Sequence, residues 1–278
     1  MLSFAVIGHP IGHTMSPFIH NRLFELSGKS VIYNKYDIHP DKLADEYKKL
    51  LSKLDGFNIT IPHKHAIIPL LNHLDQSAQL YGAVNCVDSE GVGYNTDAYG
   101  FCTAINKKGI TLSGKVLLLG SGGAARTVAY ESVMAGCDLT VAARSQSGQA
   151  LKAEIESKLN KSVKVITFDE VKGGYDLVVN ATPVGMYPNT DASPLTPSQL
   201  EGSKALFDAI YNPRKTSLIK YAEGLNMKIA EGMAMLVWQA VRAHEIWYGA
   251  KFDDGDIERL IDDANAEMAV LFGGKADE

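Results

Sequence analysis

The sequence predicts an α/β protein of two domains, and three observations support this. Residues 1–98 alternate short apolar strands with helices, which is typical of helices layered on a sheet. Residues 99–235 hold a second series of strands, which begins with an apolar run and a glycine cluster. Two long helices close the chain without a further strand after them. We therefore predict that residues 236–278 return to the first domain, which becomes discontinuous, with a ligand cleft between the two domains.

Composition excludes several classes of protein. The 278 residues are 46% hydrophobic and 21% charged, and the net charge of −5 offers no basic face for nucleic acid. No apolar run approaches the roughly 18 residues that cross a membrane, and the N-terminus lacks the basic start of a signal peptide. Three cysteines without C-x-x-C spacing favour free thiols in a reducing cytoplasm. No acidic or cysteine cluster accompanies the histidines, so no metal site is predicted.

The first domain is predicted from apolar runs separated by turn and helix-start signals. Proline follows the predicted cap Ser16 and also begins the helix after the third strand, where its missing N–H costs nothing. The predicted strands are Leu2–Ile7, Val31–Ile38, Gly56–Ile61, Val84–Asp88 and Val92–Tyr94, and the predicted helices are Ser16–Leu26, Pro40–Leu51, Pro62–Leu71 and Asp97–Lys108.

The second domain is predicted to be a parallel sheet, because its short strands are spaced for crossover connections. Its predicted strands are Lys115–Leu119, Asp138–Ala143, Val163–Phe168, Asp176–Asn180 and Ala205–Ala209, and the closing helices are Met233–Tyr248 and Asp256–Leu271. A tail from Gly273 is expected to fray.

A glycine loop joins the first of these strands to a helix that runs to Met134. Glycine allows the tight turn and the close approach of a pyrophosphate, and the small Ala125 lets helix and strand pack closely. The N–H groups at the start of the helix then face the phosphates. This predicts a Rossmann-type dinucleotide site, whereas a plain strand–turn–helix is the alternative. The loop residues are Gly120, Ser121, Gly122, Gly123 and Ala124.

The end of the next strand indicates which dinucleotide binds. An acidic residue at this position takes a ribose 2′-hydroxyl, whereas an arginine accommodates a 2′-phosphate. The sequence has Arg144 there and no Asp or Glu, and a guanidinium can hold a phosphate in a fork. NADP is therefore preferred over NAD. The alternative is that Arg144 simply sits in water at a sheet edge.

Two charged residues in the first domain suggest acid–base chemistry. Lys64 follows the third strand, and Asp97 lies where a later strand gives way to a helix. Open α/β sheets bind ligands at such positions, and a dehydrogenase needs a group that exchanges the hydroxyl proton. Asp97 could orient the Lys64 ammonium. Taken alone, however, Lys64 also fits a solvated surface lysine.

Further polar residues lie in loops, and each has a structural alternative. Thr14 and Ser16 could hydrogen-bond a polar ligand, although Ser16 also fits a helix cap. The Asn180–Met186 stretch, which includes Thr182, could lie along a cofactor or be a simple turn. Tyr211 could be a packed aromatic, and Gln239 a solvated helix residue.

Taken together, these motifs resemble the shikimate dehydrogenase family over nearly the whole chain. Their order and spacing are specific, whereas each alone is weak. The motifs that carry the resemblance are Gly8-His9-Pro10-Ile11 with Ser16-Pro17, Asn58-Ile59-Thr60-Ile61-Pro62-His63-Lys64, Gly82-Ala83-Val84-Asn85, Asn95-Thr96-Asp97, Gly120-Ser121-Gly122-Gly123-Ala124, Asn180-Ala181-Thr182-Pro183-Val184-Gly185-Met186, Tyr211-Asn212-Pro213 and Met235-Leu236-Val237.

The resemblance implies reversible reduction of 3-dehydroshikimate to shikimate by NADPH, in a cytoplasmic monomer or homodimer. It implies that Lys64 and Asp97 are the catalytic pair. By the same likeness, Thr14, Ser16, Thr60, Asn85, Tyr211 and Gln239 bind the substrate, and Gly120, Ser121, Gly122, Gly123, Ala124, Arg144, Thr182, Met186 and Gly232 bind the cofactor.

Two departures from the family pattern bear on specificity. Thr14 replaces the usual serine, which could shift the preference among shikimate-like acids. Ala143 replaces the usual asparagine, and Gln149 a later basic residue, so 2′-phosphate binding rests mainly on Arg144 and the selectivity for NADP over NAD could be reduced. The alternatives are a quinate/shikimate dehydrogenase with relaxed substrate or cofactor choice, and a non-catalytic NADP-binding homologue.

Overall fold

The computed structural model describes residues 2–12 and 14–272, so the predicted fraying tail lies outside the described residues. The chain divides into two compact units. The first extends to Gly100 and includes Val237–Ala266. The second is Phe101–Leu236, joined by the part of the last helix that starts at Glu267. The domain boundaries proposed from the sequence stay a prediction.

A mixed six-stranded sheet forms the first unit, with strand order β2-β1-β3-β5-β6-β4. Strands β2, β1 and β3 are parallel, while β5 runs antiparallel to β3 and to β6. The elements are β1 (Leu2–Gly8), α1 (Ser16–Leu26), β2 (Val31–Asp37), α2 (Leu43–Lys49), β3 (Gly56–Ile59), α3 (His63–Ala66), β4 (His73–Leu74), α4 (Gln76–Tyr81), β5 (Cys86–Asp88), β6 (Val92–Tyr94) and α5 (Asp97–Lys107).

The second unit holds a fully parallel sheet with strand order β12-β11-β10-β7-β8-β9. This is the doubly wound order, and its switch point lies between β7 and β10. The elements are β7 (Lys115–Leu119), α6 (Gly123–Met134), β8 (Asp138–Ala142), α7 (Ser145–Leu159), β9 (Lys164–Ile166), β10 (Leu177–Asn180), α8 (Pro197–Leu200), β11 (Ala205–Asp208), α9 (Ser217–Gly224), β12 (Lys228–Glu231), α10 (Gly232–Tyr248) and α11 (Asp254–Phe272). The two sheets confirm the predicted fold class.

Several local predictions were wrong, and three of them concern segments next to predicted site residues. The helix predicted over 62–71 ends at Ala66 and gives way to a 3₁₀ turn, because Pro69 has no N–H to continue the helix. Strand β12 was missed, since its sequence KIAE has too few apolar residues to predict a strand. Ser16 does not cap α1: Met15 occupies that position, and Ser16 is the first helical residue.

Within the first unit, two buried histidines join α1 to α10. His20 Nδ1 lies 2.9 Å from His244 Nε2, and the other nitrogen of His244 bonds the hydroxyl of Tyr248. That hydroxyl pairs with Ser27, which donates to the carbonyl of Phe24. Because a carbonyl only accepts, every donor must point along the chain towards it. His20 therefore donates to His244, and His244 is the Nδ1–H tautomer.

The buried histidine pair predicts a loss of stability in acid. Burial lowers the pKa of His20 from 6.5 to about 3 and also lowers that of His244. Between these pH values the unfolded chain binds the proton and the folded chain does not, so the free energy of unfolding falls as pH falls. His20 contributes a slope of about 1.4 kcal/mol per pH unit. Denaturation at pH 6 to 4 can be followed by the fluorescence of Trp247, which lies beside both histidines.

His20→Phe is the variant that tests this slope. It keeps the ring stacked on Tyr33, 4.5 Å between centroids, but removes the titrating group. We expect the pH slope of stability to become shallower by about one proton, whereas His73→Phe, at an exposed histidine, leaves it in place. An unchanged slope in His20→Phe would contradict the assignment.

No helix in the described part of the chain is both long and apolar enough to span a membrane. Among the same residues, no group of three or more His, Cys, Asp or Glu side chains is arranged to hold a metal ion.

Candidate active site

The predicted substrate residues of the first unit lie at one edge of its sheet. Strands β1 and β3 are parallel neighbours, with Ile7 paired to Ile59. Because β5 runs antiparallel between β3 and β6, strand β6 points the same way as β3. The segments after β1, β3 and β6 therefore meet the start of β5 at this edge. The segment after β1 carries Thr14 and Ser16, the segment after β3 carries Thr60 and Lys64, and the segment after β6 carries Asp97. Asn85 directly precedes β5.

Lys64 and Asp97 form an ion pair. Lys64 Nζ donates to Asp97 Oδ2 at 2.7 Å, and the side chains are 25% and 8% exposed. The other carboxylate oxygen accepts from Asn85 Nδ2 at 2.8 Å, and the main-chain N–H of Asp97 donates to Asn95 Oδ1. The carboxylate is thus held from both sides, while the ammonium keeps two hydrogens for other acceptors. This arrangement can pass a proton to or from a bound oxygen.

Asn85 connects this pair to α10. Its Nδ2 lies 3.2 Å from Gln239 Oε1 and 3.0 Å from Thr96 Oγ1, in addition to Asp97. Its Oδ1 accepts from the main-chain N–H of Thr96 at 2.8 Å. Nδ2 has two hydrogens for three acceptors, so one hydrogen is shared between two of them. With its Oε1 turned to Asn85, Gln239 has an amide N–H₂ free of partners among the described residues.

Thr14 and Ser16 form a hydroxyl pair at the start of α1. Thr14 Oγ1 donates to Ser16 Oγ at 3.1 Å and accepts from the main-chain N–H of Ser16 at 3.2 Å. In the described part of the chain, the hydrogen of the Ser16 hydroxyl has no acceptor. It is therefore available to a carboxylate ligand, which fits the binding interpretation of Ser16 better than the helix cap.

Thr60 packs against the end of β1. A Cβ on Gly8 would lie 2.6 Å from Thr60 Cγ2 and 3.1 Å from the carbonyl oxygen of Ile61. Only glycine therefore allows the two loops to approach this closely. The main-chain N–H of Thr60 also donates to the carbonyl of Ile7. This contact fixes the Thr60 loop beside the segment that leads to Thr14.

In the second unit, the glycine loop has room for a ligand. Gly120 has φ of +102°, which favours glycine, and follows β7 at the switch point of the sheet. A Cβ added at Gly122 or Gly123 would meet no atom within 4 Å. No side chain caps α6, so the N–H groups of its first turn are left to an anion. The residues present therefore fit a dinucleotide pyrophosphate.

Arg144 lies beside this loop in the sheet order. It follows β8, the neighbour of β7, is exposed and occupies the N-cap position of α7. The Ser147 hydroxyl donates to the main-chain carbonyl of Arg144, and the Ser121 hydroxyl donates to Ser147 at 2.8 Å. The glycine loop and the turn that carries Arg144 are thus hydrogen-bonded to each other, while the guanidinium points to no partner among the described residues.

Of the remaining predicted residues of the second unit, Thr182, Met186 and Tyr211 lie in loops after its strands, and Gly232 begins α10. Thr182 follows β10 and Tyr211 follows β11; burial raises the pKa of Tyr211, so its phenol stays a neutral donor. Met186 is exposed. Gly232 has a packing reason of its own, because a Cβ there would lie 2.4 Å from the carbonyl oxygen of Ala209.

Comparison with known proteins decides the family. The family described as "Shikimate dehydrogenase substrate binding domain" matches residues 6–87. The shikimate dehydrogenase (NADP(+)) of Methanocaldococcus jannaschii is 39% identical over 259 residues, which cover 88% of this chain and 91% of the relative. This chain belongs to the shikimate dehydrogenase family.

Solved structures of related enzymes have the same fold. The shikimate 5-dehydrogenase of Thermus thermophilus, in complex with NADP(H) and shikimate, is 34% identical with a TM-score of 0.86 and covers 95% of this chain and 100% of its own. The ligand-free 5-ketofructose reductase of Gluconobacter sp. strain CHM43 is 30% identical with a TM-score of 0.83, over 94% and 98%. Proteins of this fold thus include a shikimate dehydrogenase and a 5-ketofructose reductase.

Two residues beside the Lys64–Asp97 ion pair were not predicted to have a role. Asn95 binds the main chain of Asp97, and its own Nδ2 donates to the carbonyl of Ala83. Thr96 holds Asn85 through its main-chain N–H. Their place between a strand and a helix is the signal that could have identified them, because Asn and Thr side chains commonly hydrogen-bond helix starts.

Proposed function

We propose that this chain catalyses the reversible, NADP-dependent reduction of 3-dehydroshikimate to shikimate, with Lys64 and Asp97 as its acid–base pair. The observation that carries the assignment of these residues is their 2.7 Å ion pair at the ligand-binding edge of the first sheet. A protein that only bound NADP would have no need of such a pair. NADPH, when bound, supplies the hydride.

Lys64 serves the oxygen of the reacting carbon. In the reducing direction, that oxygen gains negative charge as its carbon accepts a hydride, and the Lys64 ammonium donates a proton to it. Asp97 stabilises the ammonium before the transfer and can share its proton, since the two groups are in direct contact. In the oxidising direction the pair takes the proton from the substrate hydroxyl.

The substrate groups are matched by neutral donors. The free Ser16 hydroxyl hydrogen serves the carboxylate, while Thr14 donates to the Ser16 oxygen. The Gln239 amide, which Asn85 holds by its Oε1, serves a ring hydroxyl. Thr60 and Tyr211 complete the set of polar groups. A site built this way rejects analogues that lack a hydroxyl, because a buried polar group would then be left unpaired.

Two related activities are separable from this one. A quinate/shikimate dehydrogenase that uses NAD is disfavoured by Arg144, which is exposed at the position that meets a ribose 2′-substituent. A reductase of a neutral ketosugar, as the name of the Gluconobacter relative states, would leave the Ser16 hydroxyl without a carboxylate to bind.

The purified protein tests the proposal directly. With NADP+ as acceptor we expect shikimate to be oxidised with a higher kcat/KM than quinate, and NADP+ to be preferred over NAD+. The measurement is the appearance of the reduced nucleotide by its absorbance. No reduction of either nucleotide with either acid would overturn the enzyme assignment, and a preference for quinate with NAD+ would favour the relaxed dehydrogenase.

Beyond the substrate and NADP, we propose no nucleic-acid partner and a cytoplasmic monomer or homodimer. The net charge of −5 supports the absence of a nucleic-acid partner, and the cysteine content supports the cytoplasmic location.

A further inference from the structure

A buried carboxylate lies at the end of β11 in the second unit. Asp208 has 0% exposed surface and belongs to no ion pair in the described part of the chain. Its Oδ1 accepts from Asn180 Nδ2 at 3.0 Å and from the main-chain N–H of Ile210 at 3.1 Å, and its Oδ2 accepts from Thr216 Oγ1 at 2.7 Å. Burial raises the pKa of Asp208, and the three donors oppose that shift. A buried acid without a cation is a costly choice for packing alone.

One arm of this hydrogen-bond network leads to the dinucleotide loop. Asn180, also fully buried, turns its Oδ1 to the next loop and accepts from both the main-chain N–H and the hydroxyl of Thr182, at 3.1 and 2.7 Å. Asp208 fixes this orientation, because its carboxylate can accept only from the Nδ2 side of the Asn180 amide. Thr182 is thereby locked in one rotamer.

Thr182 in turn supports the first glycine of the loop. A Cβ on Gly120 would lie 3.0 Å from Thr182 Cγ2 and 3.1 Å from the carbonyl oxygen of Ala181. The Thr182 side chain therefore lies against the main chain of Gly120, where the loop turns towards α6. A shift of Thr182 would be transmitted to the turn that approaches a pyrophosphate.

The other arm holds two more loops of the same edge. Ile210, whose N–H binds Asp208, directly precedes Tyr211. Thr216 caps α9 by accepting from the N–H of Ile219, and its side chain lies close to Gly185 in the loop of Met186. One carboxylate thus connects the segments that carry Thr182, Met186 and Tyr211.

We propose that Asp208 is a positioning residue for the dinucleotide site, which acts through Asn180 and Thr182 on the main chain at Gly120. The proposal rests on the proposed function, because it takes NADP as the ligand of this loop. This role differs from the one proposed for Arg144, which concerns the 2′-phosphate. The network supports the turn at Gly120 that approaches the pyrophosphate, and NADP and NAD both contain a pyrophosphate. Loss of the network therefore weakens both nucleotides by the same factor.

Asp208→Asn tests the proposal with little change of shape. Asparagine cannot accept at both ends of its amide, so at least one of the three donors loses its acceptor. We expect the Kd of NADP+ and that of NAD+, measured by calorimetric titration without shikimate, to rise together by about tenfold. In steady-state assays the KM for NADP+ rises in step.

Asp176→Asn is the matched control in the same unit. Asp176 precedes β10 at the opposite edge of the sheet, where it binds Lys204 and the main-chain N–H of Lys115. The same substitution there leaves both Kd values unchanged. Thr182→Val is the second variant, because it keeps the γ-methyl group on Gly120 but removes the hydroxyl that Asn180 binds. We expect Thr182→Val to raise the Kd of both nucleotides. Thr182→Ser keeps the hydroxyl, and its Kd values should lie closer to those of the wild type.

The outcomes separate this proposal from its alternatives. A lower melting temperature of Asp208→Asn with unchanged Kd values would show a purely structural role and overturn the proposal. A loss of affinity for NADP+ but not for NAD+ would overturn the proposal as well, because the effect would then lie at the 2′-phosphate. If Asp208→Asn does not fold, wild-type affinity of Thr182→Val for both nucleotides would overturn the proposal. Wild-type protein that binds neither nucleotide would overturn the proposed function itself, and this inference with it.

Discussion

Lys64→Ala should lower kcat for shikimate oxidation by about 10²–10⁴-fold, the usual contribution of a positioned acid–base group. Without Nζ, the oxygen of the reacting carbon has no proton donor, and the carboxylate of Asp97, 8% exposed, loses its cation. Steady-state rates with saturating shikimate and NADP+ measure the effect. The Kd of NADP+ should stay nearly unchanged, because the dinucleotide residues belong to other elements of the chain.

Two further variants separate the proton from the charge and the packing. Lys64→Met keeps most of the side-chain stem, and Lys64→Arg keeps a cation that does not release its proton near neutral pH. Both should be slow if proton transfer is the role of Lys64. Lys48→Ala, at an exposed lysine of α2, is the matched control and should behave as wild type. A Lys64→Ala enzyme with nearly the wild-type kcat would refute the role.

Asp97→Asn should lose a comparable part of the rate, because Asp97 and Lys64 act in contact. Groups that act as a unit give strongly non-additive losses. The double variant Lys64→Ala/Asp97→Asn should therefore be little slower than Lys64→Ala alone. Two losses that multiply in the double variant would show that the residues act independently.

Strong local signals in the sequence were sufficient to predict most of the fold. Lys115–Leu119 is fully apolar after its first residue, and glycines follow it, so both its strand and its turn were predictable. Strand β12 carries only two apolar residues and is stabilised by pairing with β11, a contact that leaves no local pattern. The helix predicted over 62–71 from its apolar spacing does not extend that far, because Pro69 has no N–H to continue the helical hydrogen bonds.

The predicted site residues belong mostly to loops after parallel strands, and this placement could be derived from the motifs. Which of these residues hydrogen-bond to each other could not be derived from the motifs. Asn85 meets Gln239 across 154 positions of sequence, and nothing near either residue indicates the other. The capping preference of serine predicted that the Ser16 hydroxyl caps α1. In the structure Met15 occupies the cap position, and the Ser16 hydroxyl accepts from Thr14 instead. Asp208 had no signal at all, because its partners come from separate segments.

Arg144→Ala should raise the Kd of NADP+ by about 10–100-fold and leave that of NAD+ nearly unchanged. A charge-assisted bond to phosphate is worth about 1.5–3 kcal/mol, and each 1.4 kcal/mol is about tenfold in affinity. We expect a large rise in the Kd of NADP+ because Ala143 provides no second side-chain donor to the 2′-phosphate. The Arg144 guanidinium also binds no other side chain among the described residues, so the substitution removes no other contact. Calorimetric titration with each nucleotide gives the ratio.

The variant isolates the guanidinium because the rest of the turn is held by the main chain. Ser147 donates to the carbonyl of residue 144, which alanine retains, so the bond from Ser121 to Ser147 also persists. Lys152→Ala on the same helix removes a partly exposed cation from a Glu156 pair and serves as the control for charge alone. If Arg144→Ala weakened NADP+ and NAD+ equally, Arg144 would support the loop rather than read the 2′-phosphate. Asp208→Asn is expected to give that equal loss, so the two variants divide cofactor binding into a shared pyrophosphate part and a part specific to NADP.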